Sequence, residues 1–272
     1  MEDKFENIVK NYIKAIKFDN VLVHSDITFG FEVPFINRNM FIESHINKII
    51  EITDNKKLFF PTFNYDFCKT GIYDLKNDKS KLGVISEYYR ITFSEWRTKV
   101  PIFNFSGIGT MPDLNISNTY DPFGIDSLFG FLYKNNGLLL HYGSNFNTTT
   151  LIHYAERLSE NLIYRYDKNF IGNVIFDTSI YKIELLYHVW PRNLDLKYDW
   201  RRIEDDLTTN HILYKFQHGK TIISFALITN IVNYWLKNLN SDPFYFLDDN
   251  SRILANNDFK KFKRKFLITD FE

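Results

Sequence analysis

Three short runs constrain the fold more than anything else in the chain. Val21-Leu22-Val23, Leu58-Phe59-Phe60 and Gly137-Leu138-Leu139-Leu140 are apolar without alternation. A strand with one wet face alternates apolar and polar residues. An unbroken run fits a strand covered on both faces, as in a sheet packed under helices. The helices are legible between the runs. Phe5, Ile8, Val9, Tyr12, Ile13 and Ile16 recur at helical spacing over 3–17, and Phe41, Ile46, Ile49 and Ile50 do so over 37–53. GVISEYYRI reads as a third helix, and 101–108 as a further buried strand. FGFEVPFI, with Gly30 and Pro34, reads as a loop, and so does the polar stretch from Asn64 to Lys81. In DPFGIDSLFGFLYK, turn residues precede a helix for which Asp126 or Ser127 is the expected N-cap. The alternation predicts an α/β fold, a mixed central sheet flanked by helices, with sites at strand ends.

The texture changes near residue 160. YKIELLYHVW reads as strand, 199–207 as helix, and 225–238 as an apolar helix closed by Asp242-Pro243. No linker or repeat interrupts the chain. The expectation is one domain over 1–272, with a core at 1–160 and a β-rich and helical C-terminal extension at 161–272 packed on it. The basic tail KKFKRKF reads as a solvated terminal segment.

Charge and motif content exclude several functions. Lys and Arg total 33 and Asp and Glu total 33, so nothing favours nucleic-acid binding. One cysteine, Cys68, cannot form an internal disulfide and fits a reducing compartment. No apolar run approaches the roughly 20 residues of a membrane span. The N-terminus is unlike a signal peptide. The expectation is a cytoplasmic protein. HExxH, GxGxxG, GxxxxGK[ST] and GxSxG are all absent, and no metal is expected. Cys68 is either an idle loop thiol or a nucleophile activated by histidine.

The stretch NTTTLIHYAERL at 147–158 remains. At 100° per residue, Leu151, Tyr154, Ala155 and Leu158 gather on one face, and His153 lies about 160° from Ala155. Glu156 follows at the i,i+3 spacing where side chains touch. Any of Thr148, Thr149 and Thr150 is a candidate helix cap. This geometry predicts that His153 faces solvent or a cleft. Spacing alone leaves open an ordinary exposed histidine or a catalytic one.

Six elements in order resemble the aminoglycoside 3-N-acetyltransferase family of antibiotic acetyltransferases. They are VLVHSDI, LFFPTFNYDF, LGVISEYYR, RTKVP, DSLFGFLY and NTTTLIHYAE. YRY at 164–166 and HGKTIISFALITNIVNYWL resemble its closing region, so the likeness spans about residues 20–247. The resemblance implies acyl transfer from coenzyme A to a sugar amine, with His153 as the base. It implies that Ser25, Thr62, Phe63, Gly83, Val84 and Ser86 line the coenzyme A site, with Arg97 near the active site. A homo-oligomer is a further expectation.

A histidine of ordinary pKa near 6.5 suits deprotonation of an attacking amine near neutral pH, and Glu156 is placed to orient its ring. Backbone N–H groups at 81–84 are candidates to meet an oxyanion or coenzyme phosphates. Where many family members carry His-Pro-Thr-His-Ser, this chain has Val100-Pro101-Ile102-Phe103-Asn104. Two polar, sugar-facing positions are thereby apolar, and no strong acidity is evident for a polycationic drug. The expected acceptor is therefore one amine on a smaller sugar, a nucleotide-linked dideoxy amino sugar destined for surface polysaccharide such as O-antigen. Asn104, Trp190 and Arg192 are its candidate contacts. The alternative acceptor is an aminoglycoside.

Overall fold

The computed structural model describes residues 2–28, 31, 37–114 and 116–272, with side chains described from Phe5 onward. The loop expected at 29–36 lies outside the described residues apart from Phe31. In chain order the elements are α1 (Glu2–Lys14), β1 (Asn20–Ser25), α2 (Arg38–Ile52), β2 (Lys57–Pro61), α3 (Phe67–Thr70), β3 (Ile72–Asp74), α4 (Val84–Thr92), β4 (Trp96–Arg97), β5 (Phe105–Gly107), β6 (Thr119–Tyr120), α5 (Leu128–Lys134), β7 (Gly137–Tyr142), α6 (Ile152–Leu158), β8 (Tyr166–Phe176), β9 (Ser179–Val189), α7 (Trp200–Thr209), β10 (Tyr214–His218), β11 (Thr221–Leu227), α8 (Ile228–Ser241) and α9 (Asp249–Phe262).

The three unbroken apolar runs are the three parallel neighbours at the centre of a seven-stranded sheet, ordered β10-β11-β7-β1-β2-β5-β4. Both faces are indeed covered. Val21, Val23, Leu58, Phe60, Leu138 and Leu140 point into a core shared with α1, α2 and α4. Leu22, Phe59 and Leu139 point into the opposite core, with α5, α6 and α8. A smaller sheet, β3-β8-β9-β6, is built on the long β8–β9 hairpin. This is the mixed, helix-flanked α/β architecture that the alternation predicts.

Several local expectations need correction. Residues 221–227 are a strand, so the apolar stretch at 225–238 begins as β11 and becomes helix only at Ile228. The long apolar run masks the change of period. Strands β10 and β11 complete the central sheet from the C-terminal side of residue 160. The polar segment 64–81 contains α3 and β3; Gly71 turns between them with φ 65°, and β3 pairs with β8 a hundred residues away. Only 105–107 of the strand expected at 101–108 is regular, because Ile102 adopts φ 64°. Ser127 caps α5, accepting from the Gly130 N–H, and Asp126 does not. The tail is not simply solvated: Phe266 is buried against Phe262 and Phe271. Among the described residues, no helix is long and apolar enough to cross a membrane, and no group of three or more His, Cys, Asp or Glu is disposed to hold a metal ion.

Candidate active site

The parallel strands end together, and their carboxyl ends carry the cleft. It encloses about 250 Å³, bounded by the ends of β1 and β2, the start of α4 and the loop after β7. Ser25, Gly83, Val84 and Ser86 are among its lining residues, so four of the six positions implied for coenzyme A meet there. Gly83 sits at the N-cap of α4 with φ 100°, backbone that glycine adopts readily. No side chain caps that helix, which leaves its first N–H groups facing outward. Two buried polar atoms of the lining residues lack a hydrogen-bond partner, Ser25 Oγ and His24 Nε2. Buried polar atoms are rarely left so unless a ligand or water completes them. His24 stacks on His141 at 4.9 Å, and burial lowers its pKa to about 4, so it is neutral.

His153 lies one turn beyond the cleft wall. Its backbone N–H donates to the carbonyl of Thr150, and Thr148 and Thr150 line the cleft. The threonines do not cap α6. Thr148 Oγ1 donates to the Asn145 carbonyl and Thr149 Oγ1 to that of Phe146, forming a short 3₁₀ turn ahead of the helix. The apolar face is as expected, with Leu151, Tyr154 and Ala155 buried. The opposite face is not open to solvent. The side chain of His153 is 24% exposed and that of Glu156 is 0% exposed.

Glu156 is the hub of a buried polar cluster. Its Oε2 lies 2.9 Å from His153 Nδ1, and its Oε1 accepts from Tyr164 Oη at 2.9 Å and Tyr198 Oη at 2.7 Å. Arg165 Nε forms an ion pair with Oε2 at 2.7 Å, without the alignment of a hydrogen bond. Burial pushes the Glu156 pKa up, but Arg165, His153 and Tyr198 together bring it down to about 2. Glu156 is therefore a carboxylate that can only accept. His153 Nδ1 must then carry the proton of the neutral ring, which leaves the Nε2 lone pair free. Burial and the Arg165 charge hold the His153 pKa below the ordinary value, against the opposing pull of Glu156. Phe123 meets the ring edge-on at 5.2 Å.

The remaining expected site residues lie elsewhere. Thr62, Arg97 and Asn104 form a buried network outside the cleft lining. Arg97 donates through Nε to Asn104 Oδ1 at 2.8 Å, and through its other nitrogens to the carbonyls of Leu75, Asp78 and Thr62. Thr62 Oγ1 donates to Asn104 Oδ1 at 2.7 Å. Phe63 is buried edge-on against Phe103 and Phe105. Trp190 lies under the Arg165 guanidinium, 4.8 Å from its ring centre, and Arg192 is exposed on a 3₁₀ turn. The site residues that spacing did not pick out are Tyr164, Arg165 and Tyr198. The first two belong to the YRY stretch. Tyr198 is 42 residues from Glu156 and leaves no local signal.

The family profile described as aminoglycoside 3-N-acetyltransferase matches residues 51–240, well over half of the chain. No curated relative matches it. Among solved structures, the YokD protein from Bacillus subtilis is 17% identical, with a TM-score of 0.64 over 88% of this chain and 100% of that one. AAC-IIIb, solved as a binary complex with CoASH, is 15% identical, with a TM-score of 0.65 over 87% and 96%. A mutant of aminoglycoside acetyltransferase AAC(3)-IVa in complex with a gentamicin is 15% identical, with a TM-score of 0.63 over 89% and 91%. At such identities the likeness establishes the fold, and the profile match establishes descent: the chain belongs to the aminoglycoside 3-N-acetyltransferase family.

Proposed function

We propose that the chain is an acyl-CoA-dependent N-acyltransferase that acylates one amine of an amino sugar, with His153 as general base. The observation that carries this reading is the ionised, buried Glu156 fixing a neutral His153 one turn from the cleft wall. Acyl-coenzyme A is the acyl donor, a substrate of the reaction. The cleft suits its amide-rich arm, because Ser25 Oγ and His24 Nε2 lack partners and the start of α4 presents free N–H groups. The acceptor amine loses a proton to Nε2 of His153 as its lone pair forms the C–N bond. The C–S bond then breaks and the thiolate departs. Donors already in place for the developing oxyanion are available at the start of α4.

The reading favours a small acceptor with a single amine, such as a nucleotide-linked dideoxy amino sugar. Glu156, beside His153, is already matched by Arg165, and Asp121 and Asp167 are both matched by Arg157, one turn further along α6. Among the described residues, Asp26 is the one carboxylate lining the cleft, little negative charge for a polycation. The second reading, an aminoglycoside acceptor, is favoured by the family and by the neighbour solved with a gentamicin.

Thiol release from acetyl-CoA, measured with both acceptor classes, separates the two readings. Turnover with a nucleotide amino sugar and none with gentamicin supports the first; the reverse supports the second. Release with neither class at millimolar concentration counts against the enzyme reading. His153→Asn should lower kcat/KM by about 100- to 10,000-fold. A loss of only a few-fold removes His153 as the base.

A further inference from the structure

The His153–Glu156 pair does not stand by itself, and what lies behind it is unusually complete. Arg165 is buried. Its Nε faces Glu156 Oε2 at 2.7 Å, its Nη1 donates to the carbonyl of His188 at 2.8 Å, and its Nη2 donates to Tyr198 Oη at 2.5 Å. Its guanidinium plane also rests over the ring of Trp190. Tyr198 Oη donates a hydrogen bond to Glu156 Oε1 at 2.7 Å and lies 3.3 Å from His153 Nδ1. The carboxylate is thus gripped from two sides by groups that are themselves fixed.

We propose that Arg165, with Tyr198 as its bridge, is the positioning residue of the catalytic histidine: it pins the Glu156 carboxylate where that carboxylate holds the Nδ1–H tautomer of His153. This rests on the reading of His153 as the base. Its contacts are spent on Glu156, Tyr198, the His188 carbonyl and Trp190, so Arg165 acts through Glu156. A lysine cannot replace it fully, because one ammonium cannot reach the Glu156 carboxylate, the Tyr198 hydroxyl and the His188 carbonyl in a fixed fork.

The groups that face His153 are Glu156 on its own helix, Arg165 with Tyr164 on the segment before β8, and Tyr198 ahead of α7. His188 on β9 is held at Nδ1 by Asp167, 2.9 Å away, and burial keeps it neutral with a pKa of about 4. It adds no charge near neutral pH. Arg165 is thus the cation acting on the pair, and its removal has a direction. Losing a positive neighbour stabilises the imidazolium, so the His153 pKa rises.

The test uses the full chain; the titration needs no acceptor, and kcat is read as thiol release from acetyl-CoA with whichever of the two acceptor classes, nucleotide amino sugar or gentamicin, turns over. The Cε1–H resonance of His153, assigned by its loss in His153→Asn, is titrated by NMR in wild type, Arg165→Met, Arg165→Lys and Tyr198→Phe. The expected result for Arg165→Met is a pKa raised by roughly one unit or more. Arg165→Lys should titrate near wild type yet lose roughly 10- to 100-fold in kcat, since charge is kept and geometry is not. Tyr198→Phe, which is isosteric, keeps the test decisive where Arg165→Met does not fold; it should lower kcat with KM for acyl-CoA unchanged. An unmoved His153 titration in Arg165→Met overturns the proposal. Arg165→Lys with wild-type kcat overturns it too, and so does Tyr198→Phe with wild-type kcat. If His153→Asn is itself active, the base reading falls first, and that result is distinct from all of these.

Discussion

At the scale of the residue, the site turns on which nitrogen of His153 is free. Glu156, depressed from 4.5 to about 2, is charged at every working pH. It fixes the proton on Nδ1 and leaves Nε2 as the base. His153 titrates below 6.5, because burial and Arg165 outweigh Glu156. The base form therefore persists to lower pH than an ordinary histidine allows. The acid limb of kcat/KM attributable to the enzyme should have its midpoint below 6.5, and the acceptor ammonium should add a second limb near its own pKa. A profile whose enzyme limb lies at 7 or above contradicts the assignment. Glu156→Gln removes a buried charge and leaves Arg165 uncompensated, which should cost about 3 kcal/mol of stability. Urea melts of the two proteins check this; equal midpoints would mean that the pair is not a charge pair in solution.

At the scale of the element, the start of α4 is where backbone shape and ligand chemistry meet. Gly83 has φ 100°, and a Cβ added there would meet nothing within 4 Å. Any penalty in Gly83→Ala is thus conformational, because φ 100° with ψ 179° is backbone that essentially only glycine adopts, roughly 1–3 kcal/mol. Relief of that strain moves the first turn of α4, so KM for acyl-CoA should rise while the melting temperature falls by only a few degrees. An unchanged KM separates the helix start from the coenzyme site. Thr62, Arg97 and Asn104 are drawn into the site by resemblance, but as side chains they are spent on one another and on carbonyls. This difference shows what a linear sequence carries. The three apolar runs announced doubly covered strands, because unbroken apolarity has few other uses. The face of Leu151, Tyr154 and Ala155 was equally readable from the 3.6-residue period. Glu156 was not: its spacing placed it only as the i,i+3 neighbour of His153, and it is buried because Tyr164, Arg165 and Tyr198 cover it. That cover comes from outside the helix, where no local period reports it. β3 and β11 were missed for related reasons, since the partner of one is a hundred residues away and the other runs without a break into α8.

At the scale of the whole molecule, the fold is unusually committed to neutral histidine. Burial lowers the pKa of His24, His45 and His188 to about 4, that of His141 well below the ordinary value, and that of His153 below it as well. Each sits where the fold needs an uncharged ring. His24, in the cleft lining, stacks on His141, and two charged rings at 4.9 Å would repel. His45 Nδ1 shares a hydrogen bond with Tyr142 Oη at 2.8 Å. In the unfolded chain these rings titrate near 6.5. Between pH 6.5 and about 4 the unfolded state therefore binds protons that the folded state refuses. The stability these groups contribute is complete above 6.5 and is lost progressively as pH falls toward 4. Each such histidine adds a slope of up to about 1.4 kcal/mol per pH unit in that window. Glu156 acts in the same direction at lower pH: its contribution is present above 4.5 and lost as pH falls toward 2. Thermal melts from pH 8 to pH 4 should therefore be flat above about 7 and fall steeply between 6 and 4, before most carboxylates protonate. His45→Gln, which can still hydrogen-bond Tyr142, should shorten that fall without flattening it. A melting temperature constant to pH 5 would mean that the buried histidines gain protons in the folded state, and the stacked His24–His141 pair could not then be neutral.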